Sequence, residues 1–219
     1  MAADAGDPVV LTCGDARWPR PAAGVRVTAV TARPGGEELA GALAELDGGR
    51  LVVCGTDADL NAVVLRLLRT EALAVPVGYV PSSASSVVAR RWAIPVAAAA
   101  AVDVALHGVP DPVPLIRDTS GGVLVGLGVI KPVRGVAYCD DQLVLRGQAS
   151  RLEVTPDPEH GLLVRVVHRR LLGRRVRMAA GRAVQLGCAP TEVLRDGVPA
   201  QTSQQWTWYR HTEDLRLVR

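Results

Sequence analysis

Two strand–loop–helix units in succession, between Leu51 and Pro95, constrain this chain more than any other feature. Leu51-Val52-Val53-Cys54 is an apolar run of strand length, Gly55 to Asp59 reads as a tight turn, and Leu60 to Glu71 has helical periodicity. Pro76 to Val80 repeats the strand, Pro81 to Ser86 repeats the loop, and a second helix ends before Ile94-Pro95. Leu60, Val63, Val64, Leu67 and Leu68 keep the spacing of a helix with one apolar face. Units of this kind lay their strands parallel. Both loops then fall at the carboxyl edge of one sheet, where open α/β folds receive ligands.

The flanking sequence extends the pattern on one side and breaks it on the other. Pro8 to Cys13 and Val25 to Val30 read as strands, separated by a Gly/Pro/Arg-rich turn from Gly14 to Gly24. Pro34-Gly35-Gly36 punctuates, Glu37 and Glu38 open a helix carrying Leu39, Ala42, Leu43 and Leu46, and Gly48-Gly49 ends it. Val96 to His107 is an Ala-rich helix stopped by Gly108. From Pro112 onward short Val/Leu/Ile runs alternate with Gly, Pro and Asp. The expected strands are Val113 to Arg117, Val123 to Leu127, Leu143 to Arg146, Arg151 to Thr155, Leu162 to His168, Arg174 to Met178, Ala183 to Leu186, Glu192 to Arg195, Trp206 to Tyr209 and Leu215 to Val218. The fold expected is therefore α/β plus all-β. A Rossmann-like N-terminal domain (1–110) is followed by a β-sandwich C-terminal domain (111–219), with the last strand free to return to the first. The boundary falls between Gly108 and Pro114.

Composition removes several function classes. At 219 residues the chain can bury a sizeable core, and its net charge of +3 is modest. Arginine is concentrated between Arg165 and Arg182 without interleaved aromatics, which reads as a solvated strand face and not a nucleic-acid groove. Cys13, Cys54, Cys139 and Cys188 form no C-x-x-C pair and have no zinc-spaced histidines. Three of them lie on or beside strands, as small buried apolar residues do, which fits a reducing, cytoplasmic setting. Met1 to Asp4 lacks a basic start, and the longest apolar run, Ile94 to Ala101, is far below the roughly 20 residues of a membrane span. His107, His168 and His211 are isolated and read as structural or exposed, and Trp206 and Trp208 share one strand face.

In this order, several strings resemble the diacylglycerol kinase catalytic-domain family, lipid kinases that share an architecture with NAD kinases. Gly55-Thr56-Asp57-Ala58-Asp59-Leu60-Asn61-Ala62 stands where the family has Gly-Gly-Asp-Gly-Thr-Leu-Asn-Glu. Pro81-Ser82-Ser83-Ala84-Ser85-Ser86 stands where it has Pro-Leu-Gly-Thr-Gly-Asn-Asp, with Ile94-Pro95 following. Arg33-Pro34-Gly35, Glu159-His160-Gly161-Leu162-Leu163 and Arg195-Asp196-Gly197-Val198-Pro199 are similar to further family segments, the last to Val-Asp-Gly-Glu-Pro. The resemblance implies an ATP- and Mg²⁺-dependent lipid kinase, with Gly55, Thr56, Asp57, Asp59, Asn61, Ser83, Ser85 and Ser86 at the nucleotide and Asp157 and Glu159 at an acidic metal-linked turn.

The departures bear on chemistry. Phosphoryl transfer is mostly positioning and charge stabilisation, and the family's glycines let backbone N–H groups approach phosphate. A Cβ at Thr56 and Ala58 implies strain of roughly 1–2 kcal/mol if those residues keep a positive φ. Asp59 sets a carboxylate where phosphate is expected, and two like charges about 4 Å apart repel by roughly 4 kcal/mol at an effective dielectric near 20; a bound Mg²⁺ would reverse that sign. In the second loop Ser85 or Ser86 reads either as an anion ligand or as a helix N-cap. Val198 replaces the family's glutamate base, a loss worth typically about 10²–10⁴-fold in rate. Asp196, one step away, reads as a turn residue with Gly197. Asp57 and Asp196 are the remaining catalytic candidates. The expectation is a lipid-kinase-like protein with impaired or absent phosphoryl transfer, binding a lipid, small molecule or partner in the inter-domain cleft, with peripheral membrane contact and no transmembrane segment. Its rivals are an active kinase with rewired loops, using ATP and Mg²⁺, and a non-enzymatic interaction protein.

Overall fold

The computed structural model describes residues 6–20, 24–170 and 173–219. Met1 to Asp4 and part of the Gly14–Gly24 turn lie outside the described residues. The chain is a mixed, sheet-dominated α/β protein that divides into two compact units, Met1–Pro112 with Asp214–Arg219, and Val113–Glu213.

The first unit runs β1 (Val9–Cys13), β2 (Arg26–Val30), α1 (Gly36–Ala44), β3 (Leu51–Gly55), α2 (Asp57–Arg69), β4 (Val77–Pro81), α3 (Val87–Trp92) and α4 (Ala98–His107). Its strands are parallel in the order β2-β1-β3-β4, and Leu217 near the C-terminus pairs parallel with Val77. Every residue of β1, β3 and β4 is buried, as strands covered on both faces must be, whereas β2 is an edge strand and half-exposed. Leu60, Val63, Val64 and Leu67 of α2 are buried, so the apolar stripe faces inward. Gly78 lets α4 come close to β4: a Cβ there would lie 2.7 Å from the carbonyl oxygen of Ala105.

The second unit is built from antiparallel pairs. Its strands are β5 (Pro110–Asp118, beginning in the first unit), β6 (Val123–Leu124), β7 (Gly128–Ile130), β8 (Val133–Cys139), β9 (Gln142–Ala149), β10 (Arg151–Asp157), β11 (Gly161–Arg170), β12 (Gly173–Gly181), β13 (Ala183–Arg195) and β14 (Val198–Val218). Trp206 and Trp208 are buried in its core, packed edge to face with ring centroids 5.8 Å apart.

Several sequence boundaries need correction. The strands expected at Ala183–Leu186 and Glu192–Arg195 are one strand, β13. Pro190 sits in a register shift between Gly187 and Thr191, the kind of irregularity where a strand tolerates proline. Trp206–Tyr209 and Leu215–Val218 likewise merge into β14, whose polar Thr202–Gln205 segment lacks apolar alternation yet pairs with β13. Strands β7 and β8 were not expected. Their glycines imitate a loop, but Gly135 is there because the backbone of Gly187 lies where its Cβ would be. Helix α2 begins at Asp57 and not Leu60, for a reason given below.

No described helix is long and apolar enough to cross a membrane. All four cysteines are free thiols, and Cys13, Cys54 and Cys139 are buried. Burial pushes the Cys13 thiol up to about 12 and those of Cys54 and Cys139 up to about 11. In the native protein a thiolate-selective reagent is therefore expected to label Cys188, which is part-exposed, well before the other three; peptide mapping after brief labelling checks this. Leu67→Ala is expected to lower unfolding free energy by about 2–5 kcal/mol, read as a drop in the denaturant midpoint.

Candidate functional site

At the carboxyl edge of β1, β3 and β4, the loops are held by carboxylates of the chain itself. Thr56 is the N-cap of α2, with φ −84° and an extended backbone. Its hydroxyl accepts from the N–H of Asp59, and the Asp59 carboxylate accepts from the N–H of Thr56 at 2.7 Å and from its hydroxyl at 2.7 Å. This Thr-x-x-Asp exchange is a capping box, and it starts the helix three residues earlier than periodicity alone suggests. Ala58 is thus an ordinary residue of the first helical turn. The strain expected from a Cβ at positive φ is absent, because neither Thr56 nor Ala58 has one.

Asp59 is 3 % exposed, and its other carboxylate oxygen accepts the N–H of Arg33 at 2.7 Å. Arg33 has φ +55°. The clasp therefore fixes a left-handed residue in the β2–α1 loop as well as the start of α2. Gly55 is required beside it, since a Cβ there would lie 2.7 Å from the Asp59 carboxylate. Glu38 holds the same β2–α1 loop from the other side, accepting from the N–H and hydroxyl of Thr31 and from the N–H of Gly35. The Thr31 and Gly35 N–H groups and the Thr31 hydroxyl hold its carboxyl below the usual range. That contribution is fully present above the ordinary glutamate pKa and is lost as pH falls through the depressed one.

Asp57 joins the two loops of the tandem units. One oxygen accepts the N–H of Val87 at 2.7 Å, and the other accepts the hydroxyls of Tyr79 at 2.9 Å and of Ser86. Ser86 is buried and caps α3 by accepting the N–H of Ala89 at 2.9 Å. It is an N-cap. Burial, with the Asp57 charge second, raises the pKa of Tyr79, so the phenol stays protonated and donates. Ser83 and Ser85 are exposed and hydrogen-bond each other at 2.8 Å. Asn61 is half-buried on α2.

The structure thus brings Gly55, Thr56, Asp57, Asp59 and Ser86 into one hydrogen-bonded edge. Asp57 and Asp59 act there as acceptors for backbone N–H groups, the donors that a phosphate would need. Sequence reasoning singled out the Arg33-Pro34-Gly35 segment but missed the bond of Arg33 to Asp59, the loop-holding role of Glu38, and Tyr79. A lone tyrosine in an aliphatic buried strand was the available signal, because its hydroxyl must find a partner.

The other candidates lie in the second unit. Asp196 (φ +47°) and Gly197 (φ +81°) make the turn between β13 and β14. The buried Asp196 carboxylate accepts the N–H groups of Val125, Gly126 and Leu127 at 2.7–2.9 Å. Val198 opens β14 opposite Arg195. Asp157 closes the β10–β11 hairpin, accepting the N–H of His160 at 3.0 Å and facing its Nδ1 at 2.9 Å. The Glu159 side chain is 84 % exposed. Among the described residues no group of three or more His, Cys, Asp or Glu side chains is arranged to hold a metal ion.

No family model matches the chain, and no curated protein does. Solved structures do. A diacylglycerol kinase from Bacillus anthracis strain Sterne superposes with a TM-score of 0.68 at 12 % identity, covering 96 % of this chain and 97 % of that one. A second structure of diacylglycerol kinase type from the same organism covers 100 % of this chain and 98 % of its own, with a TM-score of 0.71 at 12 % identity. A third covers 97 % of each, with a TM-score of 0.69 at 12 % identity. Along its whole length, this chain has the diacylglycerol-kinase-like fold.

Proposed function

We propose that this chain is a diacylglycerol-kinase-like protein whose phosphate-receiving loops are closed by its own carboxylates. On this reading it keeps a Rossmann-like N-terminal domain and a β-sandwich C-terminal domain, and it works by binding a lipid or small ligand without transferring phosphate. One observation carries the proposal: the Asp59 carboxylate takes the N–H groups of Thr56 and Arg33, and the Asp57 carboxylate takes that of Val87. These are the backbone donors that strand-to-helix loops offer to phosphate in nucleotide-binding sheets. A nucleotide phosphate arriving here meets occupied donors and, at Asp59, a carboxylate where the resembled family has threonine; two like charges about 4 Å apart repel by roughly 4 kcal/mol at an effective dielectric near 20.

The far turn supports the same reading. Val198 cannot accept a proton, and the carboxylate of Asp196 is already shared among three backbone N–H groups. We place the protein in the cytoplasm, which its four free thiols support.

Titration with Mg-ATP is expected to leave the melting temperature of the wild-type protein unchanged. A bound ligand at 100 times its Kd would add about 2.7 kcal/mol. ATP-dependent phosphorylation of diacylglycerol that Asp57→Ala abolishes would overturn the reading in favour of an active kinase. Asp59→Ala is expected to lose about 1–3 kcal/mol of stability, because the part-buried hydrogen bonds from the Thr56 and Arg33 N–H groups to a charged carboxylate are lost. The same variant is expected to gain a thermal shift with inorganic pyrophosphate that the wild type lacks.

A further inference from the structure

We propose an anion-binding site in the second unit, in a cavity lined by Lys131, Pro132, Gln148, Ala149, Ser150, His168 and Arg169. It would take a phosphate monoester, whether free or carried on a lipid headgroup. It is independent of the loops around Asp57 and Asp59, since every lining residue belongs to Val113–Glu213.

Size and charge are the first argument. The cavity measures about 710 Å³, within the usual range for ligand pockets, and no Asp or Glu lines it. Lys131 and Arg169 are exposed, and neither has an ion-pair partner among the described residues. The neighbouring acid on β10, Glu153, is committed to Arg151 at 2.9 Å and Arg165 at 2.7 Å. Lys131 is also the only lysine among 25 Lys and Arg residues. An ammonium point charge thus lines the same cavity as a guanidinium and an imidazole.

The hairpin beside the cavity supplies a second argument. In the β11–β12 register Arg169 stands directly opposite Arg174, and His168 opposite Arg175. Like charges set across a strand pair destabilise it, and a bound anion removes that cost. His168 is already oriented: its Nδ1 lies 3.1 Å from the Gln148 carbonyl oxygen, an acceptor only, so Nδ1 carries the proton. Ser150 donates its hydroxyl to the Val167 carbonyl at 2.6 Å, which ties the β9–β10 connection to β11 and fixes the cavity wall. Lys131 and Arg169 supply the donors that a phosphate's oxygens need, and the oriented His168 ring forms part of the wall.

The test uses the full chain at physiological salt, with inorganic phosphate and glycerol phosphate by calorimetry, and with phosphatidylcholine vesicles with and without phosphatidate by co-sedimentation. Binding of glycerol phosphate that Lys131→Gln and Arg169→Gln each weaken about tenfold, with melting temperatures of the unliganded variants no lower than wild type, supports a soluble ligand. Retention on phosphatidate vesicles alone, lost in the same two variants, supports a headgroup. Arg177→Gln, on the same hairpin but outside the cavity, is expected to leave either binding unchanged. An equal loss in Arg177→Gln would reduce the effect to general surface charge and overturn the site. Absence of binding to all the phosphate probes overturns it as well. Neither result touches the Mg-ATP outcome at Asp59, so the two proposals fail separately.

Discussion

The carboxylate of Asp59 is the constraint on which the ligand edge of this fold depends. A strand-to-helix turn leaves unpaired N–H groups at the helix start, and they must be satisfied by solvent, by an anion or by the chain. Here the chain satisfies them. The same carboxylate caps α2, fixes the left-handed Arg33 and presses against Gly55, so two loops 26 residues apart share one acceptor. Asp57 does the equivalent for the next unit, tying α3 to the end of β3 through Val87, Ser86 and Tyr79. The chain's own carboxylates thus satisfy the Thr56, Arg33 and Val87 donors along this edge.

Aspartate is used in the same way in the second unit. Asp118 accepts the N–H groups of Ser120 and Gly122 and pairs with Arg195 at 2.9 Å. Asp140 accepts those of Arg182 and Ala183, and Asp196 those of Val125, Gly126 and Leu127. Each takes backbone donors that strand pairing leaves over. At these three turns the aspartate carboxylate is a piece of backbone chemistry, and Asp157 at its hairpin accepts a backbone N–H in the same way.

The framework was legible because periodicity reports burial. The tandem units, the α2 stripe and the paired tryptophans on one strand face all follow from spacing, and the structure has them. Boundaries were less legible wherever hydrogen bonding outweighs apolar pattern. The capping box moved the start of α2 to Asp57, and Pro190 hid the continuity of β13. In the site, the sequence set a carboxylate, Asp59, where the resembled family has threonine. It could not show that Arg33, 26 residues away, supplies one of the N–H groups that hold it. Long-range pairing of a carboxylate with a backbone group leaves no trace in residue type, since any residue but proline offers the same N–H.

The tight fit between Gly55 and Asp59 couples two positions. With a carboxylate seated 2.7 Å from the place of its Cβ, position 55 admits no side chain unless Asp59 shifts. Asp59 in turn cannot shift without releasing the N–H groups of Thr56 and Arg33. The two residues therefore behave as one unit, and a change at either is felt in both loops.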